Sequence, residues 1–283
     1  MIVILTLFTL LFSWISFAAT STDAVMASFE PDAIRVLVKF DGHEEVCFFD
    51  TGSPFTIVGQ NAFFSKYKKQ TVLPMVSAAN RLSSKYEIKI KKISLGKNVR
   101  SNQSIFLAES EVLSPVFGKC ILGLDLLKDN VISLDFKTKK LCLVDKIPED
   151  KKSYDLSFNK QGHLLMPLKI KDKEVLAIWD TGMSGVALAP SLIDAHKSAF
   201  NFIKSFDSGT DGSGNPLSYK IYKTDHVSIL DLKGPQGMPV AAIDMSGGIF
   251  KDLDTNAFIG FQMITQYNWM VDIKRKRWAV WDY

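Results

Sequence analysis

The sequence contains the tripeptide Asp-Thr-Gly twice, at residues 50–52 and 180–182. Each copy follows an apolar run, so each carboxyl is predicted to lie where a buried strand enters a glycine turn. Burying a charged group without a partner is strongly unfavourable, and two such carboxyls indicate that each is the partner of the other. At a separation of about 3 Å the pair holds a single shared proton. Such a pair can deprotonate a water molecule that attacks an amide carbonyl, without a metal, a cofactor or a covalent intermediate.

The context of the tripeptide is also repeated. VLVKFDGHEEVCFFD at 36–50 aligns without a gap with MPLKIKDKEVLAIWD at 166–180, at an offset of 130 residues (50 to 180). Each segment predicts a hairpin that ends at Asp-Thr-Gly. Further on, ILGLDLL at 121–127 and FIGFQMI at 258–264 align at an offset of 137 residues (121 to 258). A single Asp-Thr-Gly is common turn chemistry, whereas two copies in the same context favour a catalytic pair.

The repeat divides the chain into two similar lobes. We predict an all-β fold with a few short helices, made of an N-terminal lobe at 34–146 and a C-terminal lobe at 163–283. The polar stretch 147–162 is interpreted as a linker, and 20–33 as a segment that precedes the first lobe. The two lobes are expected to be related by a pseudo-twofold axis, which brings the glycine turns together.

The first eighteen residues form a distinct segment without a charged side chain. Small residues at Ser16 and Ala18 are typical of a cleavage site, so residues 1–19 are predicted to be a secretory signal peptide. The apolar run is shorter than the roughly 20 residues of a membrane-spanning helix. It also lacks a Lys or Arg near its start, and an uncleaved anchor is the alternative. We therefore expect an exported protein, periplasmic or secreted, that contacts a membrane only if this segment is retained.

Composition argues against several other kinds of site. The net charge is +4 and the lysines are scattered, so no nucleic-acid partner is expected. Cys47, Cys120 and Cys142 lie in apolar runs and are predicted to be buried thiols, with a Cys120–Cys142 bridge as an alternative. No CxxC or His/Cys spacing suggests a metal. The histidines are isolated and are assigned no role; they are His43, His163, His196 and His226.

Both halves resemble a known family. FDTGS at 49–53 with ILG at 121–123, and WDTG at 179–182 with FIG at 258–260, are similar to the lobes of retropepsin-like and pepsin-like aspartic peptidases. The resemblance covers nearly all of 35–283, and the short lobes look like two retropepsin-like lobes fused in one chain. It implies an endopeptidase that binds a peptide or protein substrate as an extended strand between the lobes. It also implies a monomer, since one chain supplies both aspartates.

The resemblance implies a role for each residue of the two tripeptides. Their aspartates would be the catalytic pair, their threonines would hydrogen-bond between the lobes, and their glycines would approach the catalytic water. The residues concerned are Asp50, Thr51, Gly52, Asp180, Thr181 and Gly182.

The residues that follow the tripeptides differ between the halves. Ser53 would hydrogen-bond the outer oxygen of Asp50, as the resemblance implies. Met183 stands where Ser, Thr or Ala is usual, and Ser184 is the candidate substitute donor to Asp180. Because Met183 departs from the family pattern, a catalytically silent peptide-binding module on the same fold is the alternative function.

Two glycine-rich or polar segments are candidate flaps over the substrate. Asn80 and Arg81 lie in the region that resembles the first flap, where a solvated arginine is the alternative interpretation. Gly212 and Gly214 belong to SFDSGTDGSGNPLSY at 205–219, which predicts a mobile hairpin, with an ordinary long loop as the alternative.

Overall fold

The computed structural model describes residues 23–76, 82–111, 113–114, 116–210, 216–246, 250 and 253–282. The predicted signal peptide lies outside this part of the chain. The same is true of the four predicted flap residues, which are Asn80, Arg81, Gly212 and Gly214.

The described chain is mostly β-strand, as predicted. The strands of the first half are β1 (Asp23–Val25), β2 (Ala27–Phe29), β3 (Ile34–Phe40), β4 (His43–Phe49), β5 (Ile57–Val58), β6 (Val72–Val76), β7 (Leu82–Leu95), β8 (Asn98–Ala108), β9 (Cys120–Leu122), β10 (Val131–Asp135) and β11 (Lys140–Val144). Those of the second half are β12 (Ser153–Asp155), β13 (Ser157–Phe158), β14 (Leu164–Ile170), β15 (Lys173–Trp179), β16 (Val186–Leu188), β17 (Asn201–Thr210), β18 (Pro216–Thr224), β19 (Val227–Ile229), β20 (Leu232–Lys233), β21 (Met238–Ile243), β22 (Ala257–Ile259), β23 (Asn268–Asp272) and β24 (Arg277–Trp281).

The helices of the described chain are short. They are α1 (Pro190–Ala195), α2 (Phe261–Ile264) and 3-10 turns at Phe64–Lys66, Leu124–Leu126 and Lys197–Ala199. None of them is long and apolar enough to cross a membrane, a finding that covers the described residues alone.

Three sheets organise these strands. An eight-stranded sheet in the order β2-β3-β4-β9-β5-β8-β7-β6 belongs to the first half, and β3 also pairs with β7. A ten-stranded sheet of the second half runs β17-β18-β21-β16-β22-β15-β14-β19-β20, with β13 beside β14. The third sheet has six strands in the order β1-β11-β10-β23-β24-β12, and so joins strands of both halves. Its central pair, β10 with β23, is antiparallel.

The strand bounds follow the repeat in the sequence. The hairpin β3–β4 and the hairpin β14–β15 occupy positions that differ by 130 residues, and β9–β11 differ from β22–β24 by 137. The pairing is matched as well. β4 runs parallel to β9 and β15 runs parallel to β22, with Phe48 opposite Ile121 and Ile178 opposite Phe258. The predicted hairpins before Asp-Thr-Gly are therefore confirmed.

The segment interpreted as a linker, 147–162, contains two strands. β12 pairs with β24 at the edge of the six-stranded sheet, and β13 pairs with β14. The N-terminal segment 20–33 contributes β1 and β2 in the same manner. These strands are only two or three residues long, so their side chains give no periodic pattern, and pairing with an existing edge is what orders them.

The hydrophobic core extends across the halves. Its largest fully buried side chains include Trp179, Trp269 and Trp278, and the rings of Trp269 and Trp278 stack with centroids 5.9 Å apart. Trp179 precedes Asp180 directly, so the second aspartate is attached to the core through its neighbour in sequence. A smaller cluster that includes Ile178 and Phe258 lies apart from this core.

The cysteine prediction was wrong in its pairing. The structure joins Cys47 to Cys120, with Cα atoms 4.4 Å apart, and Cys142 lies outside this disulfide. Cys47 is on β4 and Cys120 on the neighbouring β9, and the parallel register Phe48↔Ile121 places the two thiols side by side. Cys142 belongs to β11 of the six-stranded sheet, so a Cys120–Cys142 bridge would have to join two different sheets.

Removing the disulfide is expected to destabilise the protein. It closes a loop with a sequence separation of 73 residues, and both sulfurs are buried. The double variant Cys47→Ala/Cys120→Ala should lose about 3 kcal/mol of unfolding free energy in chemical denaturation under oxidising conditions. Cys142→Ala is the matched control and should change it by less than about 1 kcal/mol. Equal stability of the double variant and the wild type would contradict this expectation.

Candidate active site

Asp50 and Asp180 are positioned by the same local structure. Asp50 follows β4, and its N–H donates to the carbonyl of Leu122 on β9 at 3.1 Å. Asp180 follows β15, and its N–H donates to the carbonyl of Ile259 on β22 at 3.0 Å. The backbone of each aspartate is therefore held by the strand that carries the apolar-apolar-glycine sequence.

The glycine of that strand allows the loop after each aspartate to pass behind it. A Cβ added at Gly123 would lie within 3.0 Å of the backbone of Phe55. A Cβ added at Gly260 would lie within 3.0 Å of the carbonyls of Met183 and Gly185. Real Cβ atoms do not approach backbone so closely, so only glycine fits at these crossings.

Each carboxyl group accepts two backbone hydrogen bonds from its own turn. Oδ1 of Asp50 accepts from the N–H of Gly52 at 2.9 Å and of Ser53 at 3.1 Å. Oδ1 of Asp180 accepts from the N–H of Gly182 at 2.7 Å and of Met183 at 3.1 Å. These bonds fix the orientation of both carboxyl groups relative to the turns.

The two carboxyl groups lie against one another. Each is a hydrogen-bond partner of the other. A Cβ added at Gly52 would lie within 3.0 Å of the Asp180 carboxyl, and one at Gly182 within about 3.0 Å of the Asp50 carboxyl. The aspartates are 7% and 9% exposed, so a small opening to solvent remains on a buried pair.

Burial raises the pKa of both carboxyl groups. It is the largest cause for Asp50, whose pKa lies well above its usual range, and the negative charge of Asp180 raises it further. It is also the largest cause of the raised pKa of Asp180, which the hydrogen bonds from its own turn oppose. Since the two groups are hydrogen-bonded and cannot both ionise at low cost, a single proton belongs to the pair.

Thr51 and Thr181 exchange hydrogen bonds across the site. The N–H of each donates to the hydroxyl oxygen of the other, both at 3.0 Å. The hydroxyl of Thr51 donates to the carbonyl of Trp179 at 3.0 Å, and that of Thr181 to the carbonyl of Phe49 at 2.9 Å. Both side chains are fully buried, so these four bonds tie the two aspartate turns into one unit.

Replacing either threonine by valine is expected to loosen this unit. Thr51→Val keeps the shape but leaves the N–H of Thr181 and the carbonyl of Trp179 without a partner in a buried site. The unfolding free energy should fall by about 2–4 kcal/mol, measured by chemical denaturation. Thr51→Ser retains the hydroxyl and should recover most of this loss. If valine and serine variants are equally stable, the hydroxyl bonds contribute nothing to the junction.

The residues after the tripeptides behave differently from the prediction. The hydroxyl of Ser53 donates to the carbonyl of Phe55 at 2.7 Å, so the bond from Ser53 to Asp50 comes from its backbone N–H instead. Met183 likewise supplies a backbone N–H to Asp180, and that bond does not depend on its side chain. Ser184 is exposed, and its carbonyl accepts from the N–H of Gln262 at 2.9 Å.

Two long hairpins flank the predicted flap positions. β6 pairs with β7 and β17 pairs with β18, both antiparallel, and the tips between them are the parts outside the described residues. The strands of the second hairpin carry bulges after Phe202 and Phe206. The hairpins are consistent in position with the predicted flaps.

Sequence reasoning missed one residue at this site. His163 is buried, and the backbone of Gly52 is a hydrogen-bond partner of its ring. No local pattern marks it, because the contact joins positions more than one hundred residues apart in the sequence.

Comparisons with other proteins give no family. A scan of the chain against protein-family models and a search of curated proteins both return no match. Within the described ranges, no group of three or more His, Cys, Asp or Glu side chains is arranged to hold a metal ion.

Proposed function

We propose that this protein is an aspartic endopeptidase in which Asp50 and Asp180 activate a water molecule for attack on a peptide bond. The observation that carries the proposal is the reciprocal approach of the two turns, in which each glycine packs against the carboxyl group of the other half. The exchanged threonine bonds support the same arrangement. A buried like-charge pair has no structural advantage, because one carboxyl raises the pKa of the other.

The proposed arrangement of the halves is two retropepsin-like lobes related by a pseudo-twofold axis between Asp50 and Asp180. It is supported by strands that recur at constant offsets and by hydrogen bonds that recur in both directions across the site. The six-stranded sheet, which joins strands of both halves, would hold the lobes together. One chain then forms a complete site, and a monomer suffices.

The proposed reaction uses the proton that the pair holds. The ionised carboxyl removes a proton from water as its oxygen attacks the carbonyl carbon, and the protonated carboxyl donates to the carbonyl oxygen. The resulting tetrahedral carbon carries two hydroxyl groups. Collapse of this intermediate breaks the C–N bond as the amide nitrogen gains a proton, and the pair returns to its singly protonated state. The protons balance within the pair and the substrate.

Substrate would bind as an extended strand between the hairpins β6–β7 and β17–β18. A peptide strand gains most of its binding energy from main-chain hydrogen bonds, which both hairpins can offer. The alternative, a silent peptide-binding module, rested on Met183. It is weakened because the backbone of Met183 still donates to Asp180 at 3.1 Å.

We also propose that the protein acts outside the cytoplasm. The buried Cys47–Cys120 disulfide is compatible with an oxidising compartment, where such bonds form and persist. Contact with a membrane would depend on whether the N-terminal segment is retained.

The function is tested by cleavage of a mixed peptide library, with new termini identified by mass spectrometry. We expect cleavage that survives a metal chelator and reagents that block serine and cysteine nucleophiles. A cleaved sequence then yields a matched pair of ligands in which the scissile amide is replaced by –CH(OH)– or by –CH2–. The alcohol places its oxygen where the water would lie, and it should bind at least about 100-fold more tightly than the methylene analogue.

Two outcomes would contradict the proposal. Peptides that bind but are never cut, at acidic or neutral pH, would favour the silent binding module. Cleavage that stops with a chelator or a thiol reagent would assign the chemistry to other groups. Equal binding of the alcohol and the methylene analogue would mean that no oxygen is held between the carboxyl groups.

A further inference from the structure

His163 connects the second half of the chain to the first aspartate turn. It lies directly before β14, is 9% exposed, and its ring is hydrogen-bonded to the backbone of Gly52. Gly52 in turn donates its N–H to Oδ1 of Asp50 at 2.9 Å. A single residue therefore separates this imidazole from the aspartate pair.

The other side of the ring faces a fixed acceptor. Nδ1 of His163 lies 3.2 Å from Oδ1 of Asn159. That oxygen also accepts from the backbone N–H of His163 at 2.9 Å and of Gln161 at 3.1 Å. Nδ2 of Asn159 donates to the carbonyl of Leu253 at 3.2 Å, so the amide cannot turn without losing these bonds.

The ring thus lies between two oxygen acceptors, the Asn159 amide and the Gly52 carbonyl. A neutral imidazole has one N–H and an imidazolium has two, so protonation strengthens the contacts on both sides. Burial is the largest influence on the pKa of His163 and lowers it, and the bond to Gly52 acts in the opposite direction.

The charged groups on the elements that contact this ring are few. They are the aspartate pair beyond the Gly52 turn, and the ion pair of Lys160 with Asp254, 3.1 Å apart, beside Asn159 and Leu253. Lys160 and Asp254 offset each other at an exposed position. An imidazolium would therefore act mainly on the aspartate pair, whose ionised form it stabilises.

We infer that His163 is a positioning residue for the aspartate pair: held by Asn159, it fixes the Gly52 turn and couples its own protonation to that of Asp50 and Asp180. The inference rests on the proposed function of the pair. It adds a histidine that acts through the backbone and touches neither water nor substrate in the reaction.

The kinetic test compares two variants. His163→Leu removes the donor, and kcat should fall about tenfold while KM stays within about twofold, since the turn rather than substrate binding is disturbed. His163→Gln keeps an N–H donor and should retain most of kcat at neutral pH. Because glutamine never gains a charge, the acid limb of its kcat/KM profile should move to higher pH by about 0.5 pH unit. Wild-type profiles for both variants would overturn the inference and leave the proposed function intact.

A second measurement needs no substrate and no His163 variant. NMR titration of histidine-labelled wild-type protein should show the His163 ring titrating below the range of a solvated histidine, with the exposed His226 as internal reference. In Asp180→Asn the charge of the pair is removed, and the His163 midpoint should move to lower pH. An unchanged midpoint would refute the coupling. If the protein cleaves no peptide, the proposed function fails, and this titration still decides whether the histidine and the pair are linked.

Discussion

Replacing either Asp50 or Asp180 by asparagine is expected to reduce kcat/KM for peptide cleavage by at least about 10³-fold. Asparagine keeps the shape of the side chain and can still occupy the turn, where Oδ1 accepts two backbone hydrogen bonds in each half. It can neither remove a proton from water nor share one with its partner. Because both carboxyl groups are needed, the double variant should be no less active than the single variants.

The same substitutions are expected to stabilise the folded protein at neutral pH. The pKa of each carboxyl is raised by folding, so the folded state holds a proton that the unfolded state releases. The stability of the wild type is therefore greatest below about pH 4, the unfolded carboxyl range, and declines as the pH rises through the raised values. Asparagine has no such dependence, and Asp50→Asn should gain about 1–3 kcal/mol of unfolding free energy at pH 7.

A carboxyl elsewhere on the same hairpin provides the control. Asp172 lies in the exposed turn between β14 and β15, so Asp172→Asn should change neither cleavage nor the pH dependence of stability. Denaturation curves recorded at several pH values measure the effect, and the gain of Asp50→Asn over the wild type should vanish in acid. A dyad variant that cleaves peptides at the wild-type rate would end the proposal. A variant that loses stability equally at every pH would mean that the carboxyl groups do not repel one another.

The hairpins and the aspartate turns could be predicted because their signals are local and occur twice. Alternating apolar residues define β3–β4 and β14–β15, and the duplicated Asp-Thr-Gly places both carboxyl groups at equivalent ends. The apolar-apolar-glycine sequence marks the strand behind each turn, where Gly123 and Gly260 leave no room for a Cβ. Periodicity and turn chemistry are sufficient for such features.

Other features depend on partners that are distant in sequence. Cys47 meets Cys120 because β4 and β9 are parallel neighbours, and no spacing rule connects them. The short strands β12 and β13 form within the predicted linker because existing strand edges accept them. His163 acquires its role only through its contact with Gly52. Tertiary contacts of this kind leave no mark in a single sequence.

The role of Ser53 shows the same limit at a smaller scale. Its residue type suggests a hydroxyl donor to Asp50, yet the turn geometry brings the backbone N–H to Oδ1 at 3.1 Å and directs the hydroxyl to Phe55. Met183 supplies an equivalent backbone N–H. The backbone bonds are thus alike in the two halves although the side chains differ, so Met183 does not by itself distinguish an enzyme from a binding module.

Adding one methyl group at either central glycine is expected to separate the aspartate pair. A Cβ at Gly52 would lie within 3.0 Å of all three terminal atoms of the Asp180 side chain, and a Cβ at Gly182 would meet the Asp50 carboxyl in the same manner. Neither carboxyl can retreat, because its Oδ1 is held by two backbone N–H groups and the threonines hold the turns together. We expect Gly52→Ala and Gly182→Ala each to lower kcat/KM by about 10³-fold, since a small displacement of reacting groups has a large effect on rate.

A glycine in the same loop separates this effect from a general intolerance of alanine. Gly185 is one turn beyond Asp180, and an added Cβ there would meet only the flexible end of Gln262 at 3.4 Å. Gly185→Ala should therefore keep cleavage within about threefold of the wild type. The alcohol analogue of the substrate gives a second reading, because it should lose its advantage over the methylene analogue in Gly52→Ala and retain it in Gly185→Ala. Full activity in Gly52→Ala would mean that the two carboxyl groups work at a greater separation than this packing allows, and the shared proton would then have no physical basis.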